Sequence, residues 1–437
     1  MQRILVVGAG FSGLWSAIGA ARKLDQLGVG PEQIEILVVN RTAWHSIRVR
    51  NYEANLEGTR VPLTDVLDPV GVKHIAAEVT DIDVATRTIA YRTQSGTGIL
   101  PYDRLIFALG SCLSRPPIPG LAEYSFDVDT YESAVRLNAH LAALPSAAPS
   151  PGQYTVLVVG AGLTGIEAAT EMKGKLRSAT GMFPASCPAP CPRVILADRQ
   201  PVIGSDMGAA AISVITVALA ALGIETRAGV SVASVDGLGV TLASGERIAA
   251  STVVWCAGMQ ADPLTAAFPA ACDRFGRLPV DPCLKIIGMS AEFAAGDVAS
   301  FTIDGEHSCV MSCQHARPMG RFAGHNAVCD LSGQPMLPLH IDWYTTILDL
   351  GPWGALYTEG WDRHVAAQGP AAKRTKEIIN RQRIYPPLSR DRREILDAAA
   401  PVIQAPPASI DSPACSLELG PAALLAAAEV LQNGPFG

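Results

Sequence analysis

The sequence predicts an α/β fold with two parallel β-sheets, and two observations support that prediction. First, four short runs are rich in Val and Ile and lack polar alternation, at residues 4–7, 34–39, 156–159 and 194–197. Runs of this kind are typical of parallel strands that are buried on both faces. Second, helix-compatible segments at residues 11–27 and 163–176 separate the two strands of each pair. The chain therefore contains two βαβ units in the same order.

A glycine-rich turn of the form G-x-G-x-x-G joins strand to helix in both units. Its glycines are Gly8, Gly10 and Gly13 in the first unit, and Gly160, Gly162 and Gly165 in the second. The first glycine permits a tight turn, the second lets the backbone approach a pyrophosphate, and the third allows close helix packing. The following helix N-terminus favours an anion. We name these turns the first cradle and the second cradle, and they predict two Rossmann-like dinucleotide-binding domains.

The residue that ends the second strand of each unit indicates which dinucleotide binds. A carboxylate at this position holds the adenosine ribose hydroxyls. Asp198 occupies it in the second unit and favours NADH, although Arg199 beside it would accept the 2′-phosphate of NADPH. Asn40, followed by Arg41, occupies it in the first unit, where an amide can still bind a ribose. Two dinucleotides in one chain indicate a tightly bound flavin and a nicotinamide that exchanges.

Composition excludes several other classes of protein. The chain has 437 residues, 49% of them hydrophobic, and a net charge of -7, which argues against nucleic-acid binding. Ten cysteines are too few for a disulfide-stapled secreted scaffold, and no signal-like segment follows Met1, so we expect a cytoplasmic protein. No metal-ligand spacing, serine elbow or H-E-x-x-H motif is present, so neither a metal site nor a hydrolase is predicted.

Four further segments resemble the two-dinucleotide flavoprotein superfamily of the pyridine nucleotide-disulfide oxidoreductase fold. They are residues 102–111 (YDRLIFALGS), 116–120 (PPIPG), 253–258 (VVWCAG) and 293–297 (FAAGD). The resemblance implies an FAD domain that is interrupted by an NAD domain. The expected boundaries are 1–125 and 275–330 for the FAD domain, 126–274 for the NAD(P)H domain, and 331–437 for a C-terminal α+β region on the acceptor side. It also implies that Asp297 contacts the ribityl and phosphate region of FAD.

Within this superfamily the chain more closely resembles type II NADH:quinone oxidoreductases. Residues 42–58 lack the C-x4-C pair of a large dithiol branch, whereas residues 255–261 (WCAGMQA) and 314–316 (QHA) support the resemblance. In those enzymes an A-Q-x-A-x-Q segment lies beside the flavin where quinone binds. Cys313 and Pro318 replace its first alanine and second glutamine here, so the identity of the acceptor stays open.

Three residues are predicted to act at the reacting centre. Gln314 and His315 would orient a carbonyl of the acceptor or of the flavin, although His315 also fits a satisfied core histidine. Glu167 would lie near the nicotinamide, although an acid in the first helical turn is favoured by the helix dipole alone. The residues expected to contact the two dinucleotides are Gly8, Gly10, Phe11, Ser12, Gly13, Asn40, Arg41, Val79, Ala108, Gly110, Gly160, Gly162, Leu163, Gly165, Asp198, Gly258 and Asp297.

Several other features allow two interpretations each. Cys309 and Cys313 form a redox pair or are buried free thiols. Arg48 and Arg50 offset phosphate charge or lie on an exposed strand edge. The aromatic residues of 343–363 shape an acceptor pocket, or form a sheet core or a homodimer interface. The basic residues of 371–383 contact the inner face of the cell membrane as a peripheral helix, or form a solvated face.

The sequence therefore predicts an FAD-dependent oxidoreductase that takes a hydride from NADH and passes electrons to a quinone or quinone-like acceptor without a redox dithiol. One alternative is the reduction of a ferredoxin- or rubredoxin-like carrier protein, or of a small soluble oxidant. Another is an NADH-sensing flavoprotein in which turnover is incidental. We also expect a surface excursion at residues 187–192, a buried helix within 207–224, and a loose tail that ends in a helix at 421–431.

Overall fold

Both predicted βαβ units are present in the computed structural model, which describes residues 1–180 and 192–407. The first unit contains strand Gln2–Val7, helix Phe11–Leu27 and strand Ile34–Asn40. The second contains strand Thr155–Val159, helix Leu163–Thr180 and strand Arg193–Ala197. The two strands of each unit are parallel neighbours, so the predicted α/β fold is confirmed.

The first sheet has five parallel strands, and their order shows where the chain is interrupted. In space they run Glu292–Ala294, Arg104–Phe107, Gln2–Val7, Ile34–Asn40 and Lys73–Ala76. The chain leaves this sheet after Arg104–Phe107, forms the second sheet, and returns to add Glu292–Ala294. Residues that follow the second unit thus complete the first sheet.

The second sheet has four parallel strands covered by helices. In space they run Glu225–Arg227, Arg193–Ala197, Thr155–Val159 and Thr252–Trp255. Helix Ala209–Ala221 lies within residues 207–224, where a buried helix was predicted, but it buries only one face, through Ala211, Ile215, Ala218 and Leu219, and Val217 is 59% exposed. Within the described part of the chain, no helix combines the length and the apolar character needed to cross a membrane.

Smaller elements connect the two sheets. The remaining strands before residue 340 form sheets of two or three strands: Trp44–Ser46 with Arg60–Pro62; Glu78–Asp83, Thr88–Arg92 and Thr97–Pro101; Ser111–Leu113 with Met259–Ala261; Val232–Asp236, Gly239–Leu242 and Arg247–Ala249; Leu278–Pro279 with Ala299–Ser300. The shorter helices are Leu63–Leu67, Leu121–Tyr124 and Tyr131–Ala143. Most of the predicted excursion at 187–192 and the whole predicted tail helix lie outside the described residues.

Helix Cys313–Leu331 packs directly on helix Phe11–Leu27 because glycines remove the side chains between them. A Cβ on Gly320 would lie 2.3 Å from the carbonyl oxygen of Ser12, and a Cβ on Gly324 would lie 2.0 Å from that of Ser16. Contacts this short cannot accommodate a side chain. The packing therefore fixes the N-terminal turn of helix Cys313–Leu331 close to the first cradle.

The C-terminal region has the predicted α+β character. Its antiparallel sheet contains strands Thr345–Asp349, Ala355–Glu359 and His364–Gln368. Helix Gly369–Ile378 follows, continues as a π-helical turn at Ile379–Arg383, and is succeeded by helix Arg392–Ala398. This region contacts both earlier units, since its residues line the same cavity as the first cradle and Lys376 pairs with Glu167 of helix Leu163–Thr180.

Candidate active site

A cavity of about 680 Å3 connects the first cradle with the C-terminal region. The parts of the chain that line it include the first cradle, the loop at residues 108–113, the start of helix Cys313–Leu331, and residues 341–347 with 376–384. Leu163, Thr164 and Glu167 bring the helix of the second cradle to the same wall. The cavity therefore lies where both βαβ units and the C-terminal region meet.

The two cradles have the same backbone geometry. Gly8 and Gly160 have φ angles of 97° and 103°, a conformation that favours glycine. A Cβ on Gly13 would lie 2.0 Å from the carbonyl oxygen of Gly8, and one on Gly165 would lie 1.7 Å from that of Gly160. A Cβ on the middle glycine of either cradle would meet nothing within 4 Å. Each cradle is thus closed on its protein side and open on the side where a pyrophosphate would approach.

Asn40 and Asp198 brace the two cradles in equivalent ways. The Ala9 N–H donates to Oδ1 of Asn40 at 2.9 Å, and the Ala161 N–H donates to Oδ2 of Asp198. Oδ1 of Asp198 also accepts the Gln200 N–H at 2.7 Å. The sequence assigned both residues to ribose binding alone, and this bracing of the loop was missed.

A polar network surrounds Asp297 on the cavity wall. Ser111 Oγ donates to Oδ2 of Asp297 at 2.6 Å, and Nη1 of Arg48 donates to the carbonyl oxygen of Ser111 at 2.9 Å. Arg48 also forms an ion pair with Asp129. Burial raises the pKa of Asp297, and the Ser111 hydroxyl and Arg48 partly offset that rise. Arg48 and Arg50, for which an exposed strand edge was one interpretation, lie instead in a short 3-10 turn at Arg48–Arg50. Arg50 donates to Glu53 and to the Tyr385 hydroxyl.

Glu167 lies in a buried network that joins the second cradle to the C-terminal region. Its Oε1 accepts from Nζ of Lys376 at 2.8 Å and from the N–H of Asp349 at 3.1 Å. Asp349 in turn accepts from Lys373 at 2.6 Å and from the Tyr52 hydroxyl at 3.0 Å. Burial raises the pKa of Glu167, and Lys376 opposes that rise. Although burial alone would lower the pKa of Lys376, the Glu167 carboxylate holds it above its ordinary value.

This network alters the interpretation of the basic stretch at 371–383. Lys376 is buried and pairs with Glu167, and the partly buried Lys373 pairs with Asp349, so both charges are already engaged by acids. Arg381 remains exposed, whereas Arg383 lines the cavity. The amino-acid composition of this stretch did not predict which of its charged side chains face the interior of the protein.

Gln314 and His315 have different surroundings. Gln314 lines the cavity, its Oε1 accepts from the Thr345 hydroxyl at 3.3 Å, and its Nε2 has no protein partner within the described residues. His315 is 0% exposed and does not belong to the cavity wall. Its Nδ1 accepts the Val310 N–H at 3.0 Å, and burial lowers its pKa to about 4, so the ring is neutral.

The cavity wall contains five buried polar atoms that lack a partner among the residues the structure describes. They are Ser312 Oγ, Gln314 Nε2, Arg317 Nε, Arg321 Nε and Trp343 Nε1. Four of these are N–H donors, and the hydroxyl can donate as well. Buried donors are normally satisfied, so this wall suits a ligand that is rich in carbonyl or oxyanion acceptors.

Three cysteines also line the cavity: Cys112, Cys256 and Cys313. All are free thiols, and burial raises the pKa of each, to about 12 for Cys256. They are therefore protonated at neutral pH and unsuited to thiolate chemistry. Cys309 is likewise free and buried, and it lies outside the cavity wall.

The other predicted residues divide between the cavity and its surroundings. Phe11, Ser12, Arg41, Ala108 and Gly110 line the cavity. Val79 lies in strand Glu78–Asp83 and Gly258 packs against Ser114, and neither is part of the wall. In the aromatic stretch, Trp343 and Tyr344 line the cavity, whereas Tyr357 is buried in the sheet core.

Comparisons with known proteins identify the class to which this fold and site belong. The model of the pyridine nucleotide-disulphide oxidoreductase family matches residues 2–320, and the chain belongs to that family. The chain is 54% identical over 407 residues to an NADH dehydrogenase-like protein of Mycobacterium tuberculosis, which covers 93% of this chain and 100% of the relative. The protein is thus an oxidoreductase of the NADH dehydrogenase-like group, and the predicted resemblance is confirmed.

Two further similarities extend this placement. The type II NADH:quinone oxidoreductase Ndh of Mycobacterium tuberculosis is 30% identical over 322 residues, which cover 68% of this chain and 67% of that protein. The solved structure of NDH2 from Plasmodium falciparum superimposes with a TM-score of 0.71 at 12% identity, and covers 91% of this chain and 97% of that chain. The second similarity establishes a shared fold.

Proposed function

We propose that the protein is an FAD-dependent NADH:quinone oxidoreductase. The observation that supports this most directly is the cavity between the first cradle and a wall of donors that have no partner among the described residues, with Glu167 of the second cradle helix on its side. In this proposal, one dinucleotide binds at the first cradle, a second reaches the cavity from the second cradle, and a small acceptor binds in the same cavity. The similarity to a type II NADH:quinone oxidoreductase agrees with this arrangement.

The first cradle fits the pyrophosphate of FAD. Its middle glycine leaves open space, and the N-terminus of helix Phe11–Leu27 presents free amides to an anion. In the proposal, the amides of Phe11 and Ser12 bind the phosphates, Arg41 lies toward the adenosine end, and Asp297 accepts from the ribityl region. When bound, FAD would accept a hydride and pass the electrons on.

The chain's own residues position the reactants. Ser111 and Arg48 hold Asp297 in place, and the pair of Glu167 and Lys376 fixes the second cradle helix against the C-terminal region. Glu167 would orient the carboxamide end of the nicotinamide. His315 is not assigned a direct role in this proposal because it faces away from the cavity.

The second cradle would bind NADH in preference to NADPH. The backbone N–H groups of Ala161 and Gln200 hold the Asp198 carboxylate at the end of the strand. A carboxylate at this position repels a 2′-phosphate. Residues 126–274 would form this NAD(P)H domain, between the two parts of the FAD domain at 1–125 and 275–330. Residues 331–437 would form the acceptor side.

A small acceptor suits the cavity better than a carrier protein. The unpartnered donors lie inside the molecule, where a carbonyl of a quinone can reach Gln314 or Trp343 and a protein surface cannot. A cytoplasmic location, contact with the inner face of the cell membrane and a homodimer belong to the same proposal. Any membrane contact would use exposed cations such as Arg381, because Lys373 and Lys376 are already paired.

Cofactor analysis and turnover test this function. The purified protein should release FAD on denaturation and oxidise NADH with a short-chain quinone at tens of turnovers per second, an ordinary enzymatic rate. Turnover with a ferredoxin but not with any quinone would contradict the proposed acceptor class. The release of no flavin would contradict the proposal as a whole.

A further inference from the structure

Two arginines on successive turns of helix Cys313–Leu331 face the cavity. Arg317 and Arg321 both line it, and they are only 7% and 1% exposed. Their guanidinium carbons lie 5.3 and 4.8 Å from the ring centroid of Trp15, on helix Phe11–Leu27. Both side chains are thus held between the two packed helices, and their charged ends are fixed at one end of the cavity.

No carboxylate within the described ranges forms an ion pair with Arg317 or Arg321. The Nε atom of each has no partner there, and Arg321 Nη1 reaches only the carbonyl oxygen of Val402 at 3.4 Å. Buried charges in proteins are normally paired, because removing a charge from water is costly. Two such cations on one cavity wall need an explanation, since every other buried cation discussed above has an acidic partner.

Arg383 adds a third cation to this end of the cavity. It lines the same wall. Burial is the main cause that lowers the pKa of Arg317 to about 9 and that of Arg321 to about 10. The charge of Arg321 adds to the effect on Arg317, and the charge of Arg383 makes a smaller contribution to both. Both guanidinium groups therefore stay protonated at neutral pH. We call Arg317, Arg321 and Arg383 the arginine end of the cavity. Arg317 and Arg321 carry their positive charge here although the chain as a whole has a net charge of -7.

We propose that the acceptor reduced in this cavity is an anion: a quinone-type ring that carries a carboxylate- or sulfonate-like group, which Arg317 and Arg321 bind. This inference rests on the proposed function, because it concerns the same cavity. The planar fork of a guanidinium matches two oxygens of such a group, and charge-assisted hydrogen bonds of this kind are the strong ones. An uncharged quinone would leave both cations without an acidic partner among the residues that the structure describes.

The reaction leaves the anionic group unchanged. NADH and one proton reduce the quinone ring to the hydroquinone, and the products are the hydroquinone and NAD+. The arginines act on binding and orientation of the ring, while Gln314 and Trp343 offer donors at its carbonyl oxygens. A second source of the same oxyanion chemistry is the pyrophosphate of FAD itself, so the experiment must separate the two.

Steady-state kinetics of the Arg321→Met holoenzyme provide that test. The value of kcat/KM is measured with 1,4-naphthoquinone and with 1,4-naphthoquinone-2-sulfonate, and the FAD content of each preparation is determined. We expect a loss of roughly tenfold or more with the sulfonate, as for one charge-assisted contact, and little change with the neutral quinone. Arg381→Met, which removes an exposed cation outside the cavity wall, is the matched control and should leave both values unchanged.

Each alternative outcome has a definite meaning. Equal losses with both quinones would overturn the inference and leave the proposed function standing. Loss of bound FAD from Arg321→Met would overturn it too, because the arginines would then serve the flavin phosphates. Slow turnover of the wild-type protein with both quinones would instead contradict the proposed function.

A binding measurement on the wild-type holoenzyme does not depend on how the variant folds. Titration calorimetry compares naphthalene-2-sulfonate with the uncharged naphthalene-2-sulfonamide, neither of which can be reduced as a quinone. We expect the sulfonate to bind roughly tenfold more tightly and to compete with the acceptor, with an advantage that shrinks only modestly in salt because the site is buried. Equal affinity for the two compounds would overturn the inference.

Discussion

Residues 2–320 and residues 331–407 build the same cavity by different means. The first region, which the family model matches, repeats one local motif, and its two cradles share φ angles, close glycine contacts and a bracing side chain. The second region has no such motif. It contributes Asp349, Lys376 and Arg383, whose positions depend on packing against distant parts of the chain. Dinucleotide binding is thus encoded locally, whereas we infer that acceptor choice depends on long-range contacts.

The largest effect should come from breaking the contact that joins the two regions. Lys376→Met leaves the Glu167 carboxylate buried without its cation, which should cost about 3–5 kcal/mol of the free energy of unfolding at neutral pH. Urea titrations of Lys376→Met and of the exposed control Arg381→Met would measure it. A deficit as small as that of the control would show that the two regions are not joined through this pair.

The pH dependence of that deficit sharpens the same point. Burial raises the folded-state pKa of Glu167 above its ordinary 4.5. In the variant, the protonated Glu167 side chain is neutral and costs little stability, whereas its ionisation at higher pH lowers the free energy of unfolding. The deficit of Lys376→Met relative to the wild type should therefore shrink as pH falls toward 4.5. A deficit that stays constant between neutral and acidic pH would contradict an electrostatic origin.

Within the locally encoded region, a matched pair of glycines tests the cradle geometry. Gly165→Ala would place a Cβ 1.7 Å from the carbonyl oxygen of Gly160, whereas Gly174→Ala on the same helix would meet nothing within 4 Å. We expect Gly165→Ala to cost about 1–3 kcal/mol and to weaken NADH binding. Gly174→Ala should stabilise the protein by about 0.5–1 kcal/mol. Thermal unfolding of both variants measures this, and equal shifts would refute the close contact.

A third change separates the two nucleotides without disturbing the fold. Asp198→Asn keeps an oxygen to accept from Ala161 and removes the charge that repels a 2′-phosphate. The ratio of kcat/KM for NADPH to that for NADH should rise roughly tenfold, the value of one lost repulsive contact. Steady-state assays with both nucleotides would check it, and an unchanged ratio would remove Asp198 from nucleotide selection.

The smallest expected effect concerns the arginine end. Arg321→Met replaces a buried charge that has no described acidic partner with an apolar side chain of similar length, so the free energy of unfolding should rise by about 1 kcal/mol. Urea titration measures the change. A clear loss of stability would mean that Arg321 has a structural role rather than one reserved for a ligand.

The sequence predicted those parts of the fold that depend on neighbouring residues. The four strands, the two helices and the two cradles follow from apolar runs and glycine spacing, which are local signals. The networks of the site did not follow, because their partners are far apart: 81 residues separate Arg48 from Asp129, and 209 separate Glu167 from Lys376. No local pattern indicates which acid will meet which base.

The different surroundings of two adjacent residues could be seen only in the structure. Gln314 and His315 are consecutive, yet the first lines the cavity and the second, which is fully buried, does not. Helical geometry turns successive side chains by a large angle, so a motif alone does not say which of them reaches a ligand. The same limit applies to Arg317 and Arg321, because the sequence does not show that both side chains line the cavity.

The most direct test of the account is anaerobic stopped-flow reduction of the purified yellow protein by NADH, followed by mixing with 1,4-naphthoquinone-2-sulfonate. We expect fast loss of the flavin absorbance with NADH, slower loss with NADPH, and fast recovery on addition of the quinone. Absence of bleaching with either nucleotide would contradict the claim that the two cradles serve one cavity. Bleaching without recovery on any quinone would contradict the claim that this cavity passes its electrons to a quinone.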